Sequence, residues 1–119
     1  MTAPHLEQGR RGERLACRFL LDRGFDVLAR RYRGHLGEVD VVAFDGDVLV
    51  FVEIKTRATR DFGSPWEFVD WQKQRRIIAT AQEFIARYDL GRCAYRFDIV
   101  SVLAPGSREE EVVLYRNAF

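Results

Sequence analysis

The chain has 119 residues, 47% of them hydrophobic, and a formal net charge of +1. That length suits one domain able to bury about two-thirds of the surface its unfolded chain exposes. A near-neutral total gives no global signal for a polyanionic partner, no apolar run approaches membrane-spanning length, and Met1 to His5 lead into charged residues rather than an apolar signal core, so a soluble cytoplasmic protein is expected.

The distribution of charge says more than its total. Residues 1–33 hold eight Arg against four acids, whereas residues 34–54 hold five acids and no Lys or Arg. A basic flank beside an acidic patch is what a metal site acting on a phosphodiester needs, although charge also fluctuates along any chain. Seventeen of the nineteen cations are Arg, which leaves Lys55 and Lys73 as the exceptions. A compact ammonium with an adjustable pKa does proton and water chemistry that guanidinium cannot. Cys17 and Cys93 form no metal-type cluster and read as small apolar residues in a reduced compartment.

Residues 5–23 are expected to form a helix, with Leu15, Ala16, Phe19 and Leu20 at helical spacing and Gly24 as its C-cap. Glu13 falls on the core-facing stripe with Gly9, which would allow a close backbone approach. An inward carboxylate needs a cation or hydrogen-bond donors; one of the adjacent arginines at the stripe edge is one source. Phe25 to Arg33 reads as a strand, and Gly34 to Gly37 as a connection that includes His35, a histidine read as solvated.

Residues 38–55 organise the chain. Two apolar runs flank Asp45-Gly46, a strong hairpin signal, because a type I′ turn needs positive φ at both central positions. With that pair as the loop, Glu38 faces Glu53 and Asp40 faces Phe51. Glu38, Asp40, Glu53 and Lys55 then share one face, and Val39, Val41, Val52 and Ile54 the other. Like charges directly opposite destabilise a strand pair. A divalent cation resolves the conflict, since hard cations take carboxylate oxygens; a wetted face with its acids paired to arginines resolves it too.

After Lys55 an irregular stretch mixes Arg57, Arg60, Phe62, Gly63, Ser64 and Trp66. Aromatics interleaved with Arg suit an unpaired base and its phosphate, or else pack on the next helix. That helix is expected from about Asp70, an N-cap, to Tyr88, with Gln74, Ile77, Ala81, Phe84 and Tyr88 along its seam. Gln74, polar on that seam, either reaches the acids or caps the core edge. Lys73, Arg75 and Arg76 make the helix start basic, which suits phosphate contact. A strand over 94–103 follows, parallel to the Glu53–Lys55 strand through a crossover, with Arg96 and Asp98 as a structural pair. Val112 to Arg116 is expected as an edge strand.

The expected fold class is therefore α/β, a central mixed sheet flanked by helices, in which an antiparallel three-stranded meander is joined by a parallel strand after a crossover helix. With Asp40 on one strand and Glu53-Ile54-Lys55 on the next, the sequence resembles the restriction-endonuclease-like nuclease superfamily. More narrowly it is similar to the YraN-like family of small bacterial proteins, itself similar to Holliday-junction resolvases. Gly12-Glu13, Gly37-Glu38-Val39-Asp40, Phe51 to Arg57, Lys73-Gln74-Arg75-Arg76, Arg96-Phe97-Asp98 and Asn117-Ala118-Phe119 carry the resemblance. It implies a restriction-endonuclease-like core over the whole chain and a metal-dependent endonuclease acting on DNA, junctions among the candidates, or else a non-catalytic nucleic-acid-binding module. It also implies Mg²⁺ or Mn²⁺ held by Asp40, Glu53 and the Ile54 carbonyl, with Lys55 serving the attacking water or the phosphate. Glu13 would complete the site, Glu38 and Gln74 would support it, and Arg14, Arg57, Arg60, Lys73, Arg75 and Arg76 would contact nucleic acid. A homodimer is the implied assembly.

Overall fold

A computed structural model of the chain describes residues 4–60, 67 and 69–119, with side chains described from Leu6 onward. Helix α1 (Pro4–Asp22) precedes strands β1 (Asp26–Arg33), β2 (Glu38–Asp45) and β3 (Val48–Arg57). Helix α2 (Trp71–Arg87) leads to β4 (Tyr95–Leu103) and β5 (Glu111–Tyr115). The strands form one sheet in the order β1-β2-β3-β4-β5. Neighbours are antiparallel except β3 and β4, which run parallel across the α2 connection. This is the expected mixed α/β architecture, compatible with a restriction-endonuclease-like core.

The alternation of apolar residues along β2 and β3 divides the core in two. Val41, Ala43, Val50 and Val52 pack with Ala16, Cys17 and Leu20 of α1. Val42, Leu49 and Phe51 pack with Ile77, Ala81 and Phe84 of α2. Asp70 caps α2, its Oδ1 accepting from Lys73 N at 2.8 Å. Gly24, at φ +86°, ends α1 in the left-handed region where a Cβ would be strained. Both cysteines are free. Arg96 donates through Nε to Asp98, which is fully buried, and through a terminal nitrogen to Asp45. That arrangement ties β4 to the β2 end of the hairpin, the structural pairing expected of Arg96 and Asp98.

Three local expectations are corrected. The hairpin loop is Gly46-Asp47 rather than Asp45-Gly46, because Asp45 pairs with Val48, Val42 with Phe51 and Val41 with Val52. Gly46 takes φ +61° at the first central position, as in a type II′ turn, whose twist also suits a hairpin. Glu38 therefore does not face Glu53, nor Asp40 Phe51. The close-approach glycine of α1 is Gly12 and not Gly9: a Cβ on Gly9 would meet nothing within 4 Å, whereas one on Gly12 would run into the Thr56 side chain of β3. Val39 packs with the α2 cluster rather than with Val41 and Val52. β2 therefore changes face between Val39 and Val41, where β1 carries Arg31 at φ +52° between their partners Tyr32 and Arg30. The sheet also forks there: the ladder of β2 with β3 ends at Val41 and Val52, while β2 continues along β1 and β3 along β4.

Candidate functional site

The fork places two acids together. Just past the last ladder pair, Val41 with Val52, Asp40 meets Glu53 side chain to side chain, so the like-charge conflict expected for Glu38 falls on Asp40 instead. The Asp40 carboxylate reaches across the gap and its Oδ2 accepts from Ile54 N at 2.7 Å, where a ladder bond to the main chain would otherwise stand. Glu53 is 7% exposed. Burial, then the Glu53 charge and a hydrogen bond to Glu53, push the Asp40 carboxyl up from 3.8 to about 7, against the Ile54 N–H and Lys73, which lower it. Near neutral pH the Asp40 carboxyl is therefore poised between its neutral and charged forms.

The acids line a notch of about 290 Å³ together with Gly37, Glu38, Lys73, Arg76 and Ile77. Its floor is the forked sheet and its wall is the first two turns of α2. The Asp70 cap sets the rotation of that helix, so Lys73 and Arg76, three residues apart, face the same side. Lys73 Nζ lies 2.8 Å from Glu53 Oε1. Gly37 brings the β1–β2 connection against α2: a Cβ there would stand 3.2 Å from Arg76 Cβ and 3.3 Å from Thr80 Oγ1. Next to it, His35 N donates to Glu83 at 3.0 Å and its ring nitrogen lies 3.1 Å from the same carboxylate. The His35 side chain is 93% exposed, as expected of a solvated histidine, while its backbone N–H ties the connection to the helix.

Of the other expected site residues only Glu38 lines the notch. Glu38 takes Arg33, its neighbour across β1, at 3.4 Å. Lys55 is half-buried on β3, in register with Ser101 of β4. Glu13 is not among the notch-lining residues; its carboxylate accepts from Arg31 Nε at 3.1 Å. Glu13 and Asp40 nevertheless both act on the Cys17 thiol between helix and sheet, which burial pushes up and Arg30 draws down. Gln74 donates to the Val69 carbonyl at 2.9 Å, which caps the core edge. Arg14 is exposed on α1. Arg57 ends β3, and Arg60 pairs with Glu111 of β5. Arg75 lies over the Trp71 ring at 4.8 Å. Phe62, Gly63, Ser64 and Trp66 fall outside the described residues.

Two features were not anticipated from sequence. Arg31 sits at φ +52°, a conformation that side chains other than Gly, Asn and Asp seldom adopt, and from there it meets Glu13. No residue-type signal announces this, since arginine has no preference for it. Thr80 is fully buried under the Gly37 connection and back-bonds to Arg76 O at 2.8 Å; its place one turn after Ile77 on the seam was the available clue.

Residues 12–102 match the model of the Uncharacterised protein family UPF0102, a span that includes Glu13, both hairpin acids, Lys55, α2 and Asp98. The chain belongs to that family. A UPF0102 protein of Solibacter usitatus is 46% identical over 113 residues, covering 93% of this chain and 84% of its own. Another, from Caldicellulosiruptor saccharolyticus, is 41% identical over 114 residues, with 95% of this chain and 97% of its own covered. A third, from Alkaliphilus metalliredigens, is 38% identical over 111 residues, at 93% and 96% coverage. The UPF0102 match thus takes in the fork, the notch and the helix that walls it. Among the described residues no helix is long and apolar enough to cross a membrane.

Proposed function

We propose that this protein is a divalent-metal-dependent endonuclease acting on DNA, with Asp40 and Glu53 holding the metal. The observation that carries the reading is the meeting of the buried Glu53 carboxylate with the half-buried Asp40 carboxylate in a notch rimmed by Lys73 and Arg76. Two acids held against their own repulsion call for a shared cation, and the donor set fits one. Among the described residues no group of three or more His, Cys, Asp or Glu is placed to hold a metal. Two carboxylates and a backbone carbonyl suit Mg²⁺ or Mn²⁺, ions that are bound through few carboxylates and keep several waters.

Bound there, the cation supplies positive charge to a scissile phosphodiester and lowers the pKa of an attacking water. The chain's own groups do the remainder. The Ile54 N–H orients the Asp40 carboxylate, and the carbonyl of the same residue is the proposed third donor. Lys55, on the strand that carries Glu53, positions the water or neutralises the phosphate. Arg76 and the basic start of α2 receive flanking phosphates, as do Arg14, Arg57 and Arg60. Glu13, held by Arg31, completes the site on the α1 side through water.

A second reading, a nucleic-acid-binding module without turnover, draws on the Lys73–Glu53 ion pair, which neutralises one acid without any metal. A cleavage screen over four-way junctions, flaps, single strands, linear duplexes and RNA, with Mg²⁺ and with Mn²⁺, separates the two. Cleavage of at least one DNA substrate, abolished by chelation, is expected. Normal DNA binding with no cleavage of any substrate in either metal would select the module.

A further inference from the structure

We propose that Lys73 is a built-in placeholder for the metal: its ammonium occupies Glu53 in the metal-free protein, yields that carboxylate when a divalent cation enters, and is thereby released toward nucleic-acid phosphate. This rests on the reading of Asp40 and Glu53 as the metal-holding pair.

Three features of the ion pair carry it. First, the pair is lopsided in exposure. The Glu53 side chain is 9% exposed and that of Lys73 42%, so the carboxylate is fixed in the fork while the ammonium arrives from the solvent side on a flexible stem. Second, among the described residues Lys73 comes from the one element of the notch that is not part of the forked sheet or its connection. Its backbone is anchored by the Asp70 cap, so its side chain can leave Glu53 without any change in the helix. Third, removing an opposite charge from a nearly buried carboxylate is costly unless another cation takes its place. Exchange of one cation for another meets that condition; simple departure of the ammonium does not.

Arg76, on the same face one turn later, marks where the released ammonium would act, since it lines the notch but is exposed. Metal and DNA should then bind cooperatively, because the ion that displaces Lys73 also adds one phosphate contact.

Titration of Mn²⁺ by calorimetry into the wild type, Lys73→Gln and Lys73→Arg tests the exchange without reference to activity. Removing the competing charge is expected to tighten Mn²⁺ binding about tenfold in Lys73→Gln, whereas Lys73→Arg should stay near the wild type. A second readout needs no variant. The chain has two lysines, Lys55 and Lys73, so modification of each by an amine-reactive reagent is separable by peptide mass. Saturating Mg²⁺ is expected to raise modification of Lys73 severalfold. Mn²⁺ binding to Lys73→Gln that is equal or weaker, or Lys73 modification unchanged by Mg²⁺, would make Lys73 a strut that shapes Glu53 for the metal and would overturn the exchange while leaving the metal site standing. Absence of binding in the wild type and in Lys73→Gln alike would remove the metal site and the exchange together.

Discussion

Lys55→Ala is expected to leave DNA affinity and Mn²⁺ affinity within a small factor of the wild type while cleavage falls by about 10²–10⁴. The ground is the division of labour between the notch and the strand that carries Glu53. Asp40 and Glu53 form the acid pair, and Lys73 and Arg76 form the rim. Lys55 follows Glu53 by two residues on β3 and is half-buried at the open arm of the fork. A group in that position gains most when charge develops on the phosphate or the water, which is an effect on the transition state and not on binding. Lys55→Arg should fail to rescue, because guanidinium has another shape and stays protonated. Single-turnover rates alongside anisotropy binding measure the two quantities separately. If both variants lost affinity modestly, in a salt-dependent way, and cleavage fell only in proportion, Lys55 would be a phosphate contact and no more.

Asp40→Asn is expected to stabilise the metal-free protein at pH 8, and the gain should vanish as the pH is lowered toward 4. In the folded chain, burial and the Glu53 charge raise this carboxyl to about 7 from 3.8. Between those values the native state holds a proton that the unfolded chain has lost, so stability falls as pH rises through that window and the full cost is present above pH 7. At about 1.4 kcal/mol per pKa unit the cost is at most about 4 kcal/mol. Relaxation of the fork reduces it, and a gain of about 2 kcal/mol, or roughly 5–10 °C in Tm, is expected. Asparagine keeps a carbonyl oxygen for the Ile54 N–H, so the hydrogen bond across the fork survives. Thermal melts in chelator at pH 4, 6 and 8 give the comparison. A variant less stable than the wild type at pH 8, or a difference independent of pH, would mean that Asp40 is not held against Glu53 as the structure has it.

The contrast between what could be read in advance and what could not is physical. Periodicity located both helices and all five strands, and the Asp70 cap and Gly24 terminus followed from backbone chemistry that depends on one or two residues. The hairpin register did not follow, because Asp45-Gly46 and Gly46-Asp47 both satisfy a favoured two-residue turn. The two registers differ by two residues, so they keep the same side-chain parity, and Asp40 and Glu53 fall on one face in either. Their direct opposition, and the displacement of Glu38 onto Arg33, depend on the register itself. The fork was not legible at all, since it arises from β2 staying with β1 and β3 staying with β4, a competition between long-range pairings. Gly9 and Gly12 differ only in which turn of α1 crosses β3, and that is decided by the packing of helix on sheet. Lys73 read as a phosphate contact because its charge was visible and its partner was not: Glu53 is twenty residues earlier, and only the folded chain sets α2 over the fork.

The measurement that bears most directly on the account is a calorimetric Mn²⁺ titration of the wild type beside Glu53→Gln, in the same buffer at pH 7.5. Glu53→Gln preserves the shape of the side chain at the floor of the notch and removes one of the two charges. One saturable site per chain is expected in the wild type, and no binding in the variant at the same ion concentrations. Equal Mn²⁺ affinity in Glu53→Gln and the wild type would contradict the assignment of Asp40 and Glu53 as the metal-holding pair.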